Sequence, residues 1–210
     1  MIIHIKDLII DMTRRKSIFR GLKLSLIILV GVFLYYNFYL KNNDYYSSSN
    51  ALIGGNFELV GEYGKIYTHD DFLGKPLLIF FGFASCPDIC PYGLSVMGSV
   101  LNNLEKKSNK FNVVFVTLDP ERDKPDKLAE FVKLFHHNII GLSGNSDQIN
   151  SIANNWRVYR KEIELSGSAL GYSIDHSAYI YLMNKDGKYL THFSHNVDAE
   201  EIIKELEKFI

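Results

Sequence analysis
Hydrophobic positions in this chain come as one long unbroken run, two short unbroken runs, and several segments of strand or helix period. The long run is Leu24 to Leu40, LSLIILVGVFLYYNFYL, and it contains no charge. At ~1.5 Å per helical residue, 17 residues, or 20 counted from Gly21, nearly match a hydrocarbon core of ~30 Å. Lys6, Arg14, Arg15, Lys16, Arg20 and Lys23 precede the run, and only Lys41 follows it closely. That asymmetry predicts a cytoplasmic N-terminus and a C-terminal domain across the membrane. Tyr35, Tyr36 and Tyr39 mark the outer interface. A cleaved signal peptide is the alternative. It would carry a shorter apolar stretch and an A-x-A-like site, which Ser47 to Ala51 matches weakly. The expected organisation is a basic cytoplasmic segment 1–20, a transmembrane anchor 21–40, a polar Ser/Asn-rich linker 41–50 and one folded domain, 51–210.

The two short runs are Leu77–Phe83 and Val113–Leu118. Continuous apolar runs of this length predict strands buried on both faces. Short strands are also expected at Phe57–Val60 and Lys65–Thr68, around the turn Gly61–Gly64. Helices are expected over Pro91–Lys107, over Pro125–His137 with proline in the first turn, and over Ser146–Trp156 with Ser146 as cap. Ala178–Asn184 and Lys188–Phe193 predict a hairpin over Lys185-Asp186-Gly187. Asp198 caps a last helix ending near Phe209. The segment Val158–Ile174 carries Gly167 and Gly171 and no helical pattern, so it reads as an extra hairpin or a loop. The order is α/β: a central mixed sheet flanked by helices, resembling thioredoxin.

Composition alters this picture in one respect. The formal net charge of the chain is −1, and 51–210 holds 16 basic against 21 acidic residues, which gives no footprint for nucleic acid.

The chemistry centres on FFGFASCPDICPYG, Phe80 to Gly93, which holds both cysteines, Cys86 and Cys90. The stretch lies where a central strand meets a helix N-terminus. There the positive end of the helix dipole favours thiolate, the form that attacks disulfides and binds metals. The spacing allows both sulfurs on one side of the first turn, stiffened by Pro87 and Pro91. In an exported domain the pair could also oxidise to a disulfide. A redox motif is more commonly C-x-x-C. The later proline that thioredoxins place opposite their dithiol is absent, and Phe83 stands where a peroxiredoxin would have threonine.

A metal reading needs a third donor. Of the seven histidines, His4 falls in the cytoplasmic segment and His69 in a polar turn. His136 and His137 end a helix, while His192 and His195 are expected at the surface. His176, in Asp175-His176-Ser177 just before the apolar strand AYIYLM, could complete a Cys-Cys-His set. That set suits Cu(I), holds Cu(II) with one more ligand, and also accepts zinc.

Four blocks then decide a resemblance: Phe81 to Pro91; Thr117-Leu118-Asp119-Pro120-Glu121-Arg122-Asp123; Asp175-His176-Ser177; and Asn184-Lys185-Asp186-Gly187. Together they resemble the Sco/SenC family of copper-binding cytochrome c oxidase assembly proteins, over roughly residues 52–208. The resemblance implies a thioredoxin-like fold, a copper site with Cys86, Cys90 and His176 as ligands, and Asp119 beside it as a supporting or transient ligand. Arg122 and Asp123 would organise their loop, and Val158–Ile174 corresponds to an inserted hairpin that could gate the histidine. The implied role is a membrane-anchored metallochaperone for the dinuclear copper A site of cytochrome c oxidase subunit II, with other copper chaperones as further partners. Two alternatives stay open: a thiol–disulfide reductase using a Cys86–Cys90 disulfide, and a redox or copper sensor. A bacterial inner membrane with the domain in the periplasm is expected, because no long Arg/Ser-rich transit peptide precedes the anchor; the mitochondrial inner membrane is the alternative.

Overall fold
The computed structural model describes residues 29–33, 35, 53–168 and 170–210. The chain divides into two units, Met1–Ser49 and Asn50–Ile210. In the first, residues 29–33 and 35 are helical, with Leu29, Val30, Val32, Phe33 and Tyr35 exposed. Among the described residues no helix is long and apolar enough to cross a membrane. The remainder of the expected anchor, and the expected segments 1–20 and 41–50, lie outside the described residues.

The second unit is built on a five-stranded mixed sheet in the order β5 (Ile139–Leu142), β4 (Asn112–Thr117), β3 (Leu77–Gly82), β8 (Tyr179–Met183) and β9 (Tyr189–Ser194). Its centre is β3 (Leu77–Gly82), buried at every position. Parallel to it runs β4 (Asn112–Thr117), with Phe80 opposite Phe115 and Gly82 opposite Thr117. On the other side, β8 (Tyr179–Met183) and β9 (Tyr189–Ser194) form the expected antiparallel hairpin. The two apolar runs thus occupy the positions that their patterns require, since only strands covered on both faces can be apolar throughout. A small antiparallel hairpin, β1 (Glu58–Val60) and β2 (Ile66–Thr68), lies outside this sheet.

One strand of the sheet has no counterpart in the sequence reading. β5 (Ile139–Leu142) pairs parallel to β4, with Val113 opposite Ile139. Four residues with a central glycine carry no alternation that would mark a strand. Gly141 is instead a packing position: a Cβ there would meet the backbone and side chain of Leu128 at 3.2 Å.

The helices start and stop differently from the pattern. α1 (Ile89–Asn103) begins before Pro91, so Cys90 lies inside it and Cys86 outside. It ends four residues short of Lys107, and a 3-10 segment, Glu105–Lys110, follows. α2 (Pro125–Lys133) keeps proline in its first turn but stops before the two histidines. α3 (Ser146–Asn155) is capped by Asn145, not Ser146. The Asn145 side chain accepts the Gln148 N–H at 2.8 Å, and the Gln148 side chain accepts the Asn145 N–H at 2.9 Å. This reciprocal box satisfies two otherwise orphaned donors, which Ser146 one position later cannot do. α4 (Ala199–Leu206) is capped by Asp198 as expected but ends before Phe209. The segment left open between hairpin and loop is a hairpin, β6 (Arg160–Glu164) with β7 (Tyr172–His176), forming its own two-stranded sheet.

α1 sits on β3 through small residues. A Cβ at Gly93 would meet the Phe80 ring at 2.6 Å, and one at Gly82 would meet Cys90 Sγ at 2.5 Å. Phe80 and Phe115 fill the core under α1, and Phe81 packs on Trp156 on the opposite face of the sheet, all four fully buried. Each such side chain contributes about 1.5–3 kcal/mol by leaving water. The glycines therefore bring the helix, and its thiol, down onto the end of the central strand.

Candidate metal centre
The C-terminal end of the parallel pair β3–β4 is where α/β sheets place their sites. Here it is formed by the loop 83–88, the first turn of α1, the loop 118–123 and the end of β7.

Cys90 has no exposure and Cys86 is 9% exposed; both are free thiols. His176 comes to them from 86 residues away, with Nε2 at 3.5 Å from Cys90 Sγ. Its Nδ1 lies 2.9 Å from the Ser177 carbonyl. A carbonyl only accepts, so Nδ1 carries the proton and the Nε2 lone pair faces the dithiol. With metal–sulfur and metal–nitrogen bonds of about 2.3 and 2.0 Å, two donors on one ion sit roughly 3.5–3.7 Å apart. Cys90 and His176 already stand at that separation. Among the described residues no three His, Cys, Asp or Glu side chains form a closed ion cage. Of the three donors, Cys90 and His176 are within hydrogen-bond reach of each other.

The two thiols differ in their acidity. The Cys90 thiol, followed by the backbone N–H groups of Asp88 and Cys90, draws the Cys86 value down to about 3. Cys90 moves upward, because its hydrogen-bonded partner is Cys86, its surroundings are dry, and the Cys86 and Asp123 charges face it. At neutral pH the pair shares one proton, held on Cys90. The thiolate absorbance of the reduced metal-free chain, taken as wild type minus Cys86→Ser, is therefore expected to persist down to about pH 5. A midpoint in the ordinary thiol range, about 8.5, would contradict this asymmetry.

Asp119, in the loop after β4, is 1% exposed. Arg122 Nε pairs with its Oδ2, and the Tyr172 hydroxyl donates to its Oδ1 at 2.7 Å. Burial, then the Asp119 carboxylate, pushes the Tyr172 phenol up to about 12, so it remains a donor. Asp123 accepts the Ala84 N–H at 2.9 Å and the Thr117 hydroxyl at 2.7 Å, which ties the cysteine loop to the end of β4. The expectation that Arg122 and Asp123 organise this loop fits these contacts.

The other described histidines lie apart from the dithiol. His69 meets Phe57 edge-on, His136 stacks on His137, and His192 contacts Tyr179 and Tyr189. His192 is exposed as expected, whereas His195 is half-buried against Tyr92. His4 lies outside the described residues. Sequence reasoning missed Tyr172, and it noted Phe83 only as a missing threonine. Phe83 meets the His176 ring edge-on at 5.8 Å. No local pattern marks either, because each acts through a residue distant in the chain.

Known proteins share both sequence and fold with this chain. The SCO1/SenC family signature matches residues 46–210. An SCO2-like protein of Rickettsia felis is 40% identical over 158 residues, 75% of this chain and 77% of the relative. The structure of Bradyrhizobium japonicum ScoI with copper bound superposes with a TM-score of 0.70 at 37% identity, covering 75% of this chain and 99% of that one. Yeast Sco1 with copper bound gives 0.65 at 34% identity, over 75% and 90%.

Proposed function
This chain belongs to the SCO1/SenC family, and from that premise we propose that it is a copper metallochaperone whose ligands are Cys86, Cys90 and His176. The observation that carries this reading is the His176 ring, with Nδ1 committed to a carbonyl and Nε2 aimed at the dithiol. Dithiol chemistry alone needs no such imidazole. Two sulfurs and one imidazole form a soft set for Cu(I), and Cu(II) takes one further ligand. Loading Cu(I) displaces the proton shared by the thiols.

The acceptor in this reading is the copper A site of cytochrome c oxidase subunit II, reached by ligand exchange through shared intermediates. Segment 21–40 anchors the chain in the bacterial inner membrane with the domain on the periplasmic side. Tethering raises the effective concentration of donor and acceptor on one surface.

A second reading is favoured by the split thiols: a low-value Cys86 beside a buried Cys90 is the pairing that a thiol–disulfide reductase uses. One experiment separates the two. The copper-loaded full-length chain is mixed with the metal-free soluble domain of subunit II, and the acceptor is then assayed for copper. Copper is expected in the acceptor, and none when Cys86→Ala/Cys90→Ala is the donor. An acceptor that gains no copper, but whose oxidised cysteines are reduced by the metal-free chain, would give the reductase reading precedence.

A further inference from the structure
The β6–β7 hairpin carries His176 yet, among the described residues, pairs with no strand outside itself. Ile174 is its one fully buried residue among those described. A two-stranded hairpin is marginal in water by itself, so its place over the dithiol depends on side-chain fastenings. Apart from Arg160, whose Nε donates to the Leu118 carbonyl at 2.7 Å, these converge on Arg122. Its Nε pairs with Asp119, and its Nη1 donates to the carbonyls of Tyr172 at 3.0 Å and Leu170 at 3.2 Å. Its guanidinium lies 3.8 Å from the Tyr172 ring centre, and the Tyr172 hydroxyl closes the circuit by donating to Asp119. The same guanidinium approaches Phe83, whose other neighbour is the His176 ring.

Resting on the copper-site reading above, we propose that Arg122 is a positioning residue, which with Asp119 and Tyr172 latches the β6–β7 hairpin to the loop after β4 and so holds His176 Nε2 at the dithiol. Only arginine has the planar fork to bind a carboxylate and two carbonyls while stacking on a ring; lysine offers a point charge. Asp119, with both oxygens engaged, is the anchor of the latch and not a free donor. Closing the latch leaves Arg122 Nη2 buried with no hydrogen-bond partner among the described residues, which offsets part of the gain. Opening withdraws the imidazole and frees the Asp119 carboxylate in one movement, a route by which a bound ion can be let go.

The test uses the full-length chain with Arg122→Gln, Arg122→Lys, His176→Ala and the Arg122→Gln/His176→Ala double variant. In the metal-free protein, Arg122→Gln is expected to speed amide hydrogen exchange of residues 160–176 by about tenfold or more, with exchange of β3 and β4 unchanged. Cu(I) affinity should fall by about tenfold, and Arg122→Lys should not restore it. In the His176→Ala background, Arg122→Gln should cost no further affinity, because it acts through the ring that is already gone. An unchanged exchange rate in the hairpin would overturn the latch. A loosened hairpin with unchanged copper affinity, or an equal loss in the absence of His176, would overturn the positioning role. If wild type binds no copper, the copper-site reading fails, and with it the positioning role, while the exchange data still decide the latch.

Discussion
Replacing His176 with alanine is expected to weaken Cu(I) binding by the reduced full-length chain by about tenfold or more, equivalent to about 1.4 kcal/mol or above. Replacing Cys86 and Cys90 together is expected to abolish stoichiometric binding. The first effect follows from the ring's orientation. Nδ1 is held by the Ser177 carbonyl, so the lone pair at Nε2 has no task except at the dithiol, 3.5 Å away. The second follows from softness: without thiolates, one imidazole and neighbouring oxygens are a poor set for Cu(I). An anaerobic competition titration against a Cu(I) chelator measures both. Equal affinity for wild type and His176→Ala would remove the histidine from the site and return the dithiol to redox chemistry.

Gly82→Ala is expected to damage stability and site together. The added Cβ would stand 2.5 Å from Cys90 Sγ and 3.0 Å from the Phe115 ring. Neither neighbour can retreat easily. Phe115 is packed against Phe80 and Phe131, and Cys90 is short and fully buried at the start of α1. Overpacking of this kind costs about 1–3 kcal/mol, which lowers the urea midpoint by roughly 1 M for a domain of this size. Because the strained neighbour is a proposed ligand, Cu(I) affinity should fall as well. Gly93→Ala is the matched control. Its Cβ would strike the Phe80 ring at 2.6 Å, so it should destabilise to a similar degree. It does not touch the thiols, and copper affinity should stay near wild type. If Gly82→Ala binds copper as tightly as Gly93→Ala and wild type, the direct clash with Cys90 Sγ does not disturb the site.

Sequence alone determined whatever depends on neighbours in the chain. Leu77–Phe83 and Val113–Leu118 could be assigned as buried strands because an apolar run must be covered on both faces wherever it lies. Pro125 and Asp198 marked helix starts because their effects are confined to one turn. The cysteines and their approximate setting were legible for the same reason, as was the family, whose motif blocks keep their spacing. Contacts between distant residues were decided only by the tertiary structure. Four residues around Gly141 became a strand because β4 offered an open edge. The Asn145–Gln148 box displaced Ser146 as cap because reciprocal bonding satisfies two donors where Ser146 could satisfy one. The partners of Asp119 could not be read from its motif, since Tyr172 lies 53 residues further on. Likewise, the Nδ1 partner of His176 is the carbonyl of its chain neighbour Ser177, but nothing near His176 in sequence brings Nε2 to the sulfurs. That approach belongs to a phenyl ring and a guanidinium that meet only after the sheet has formed.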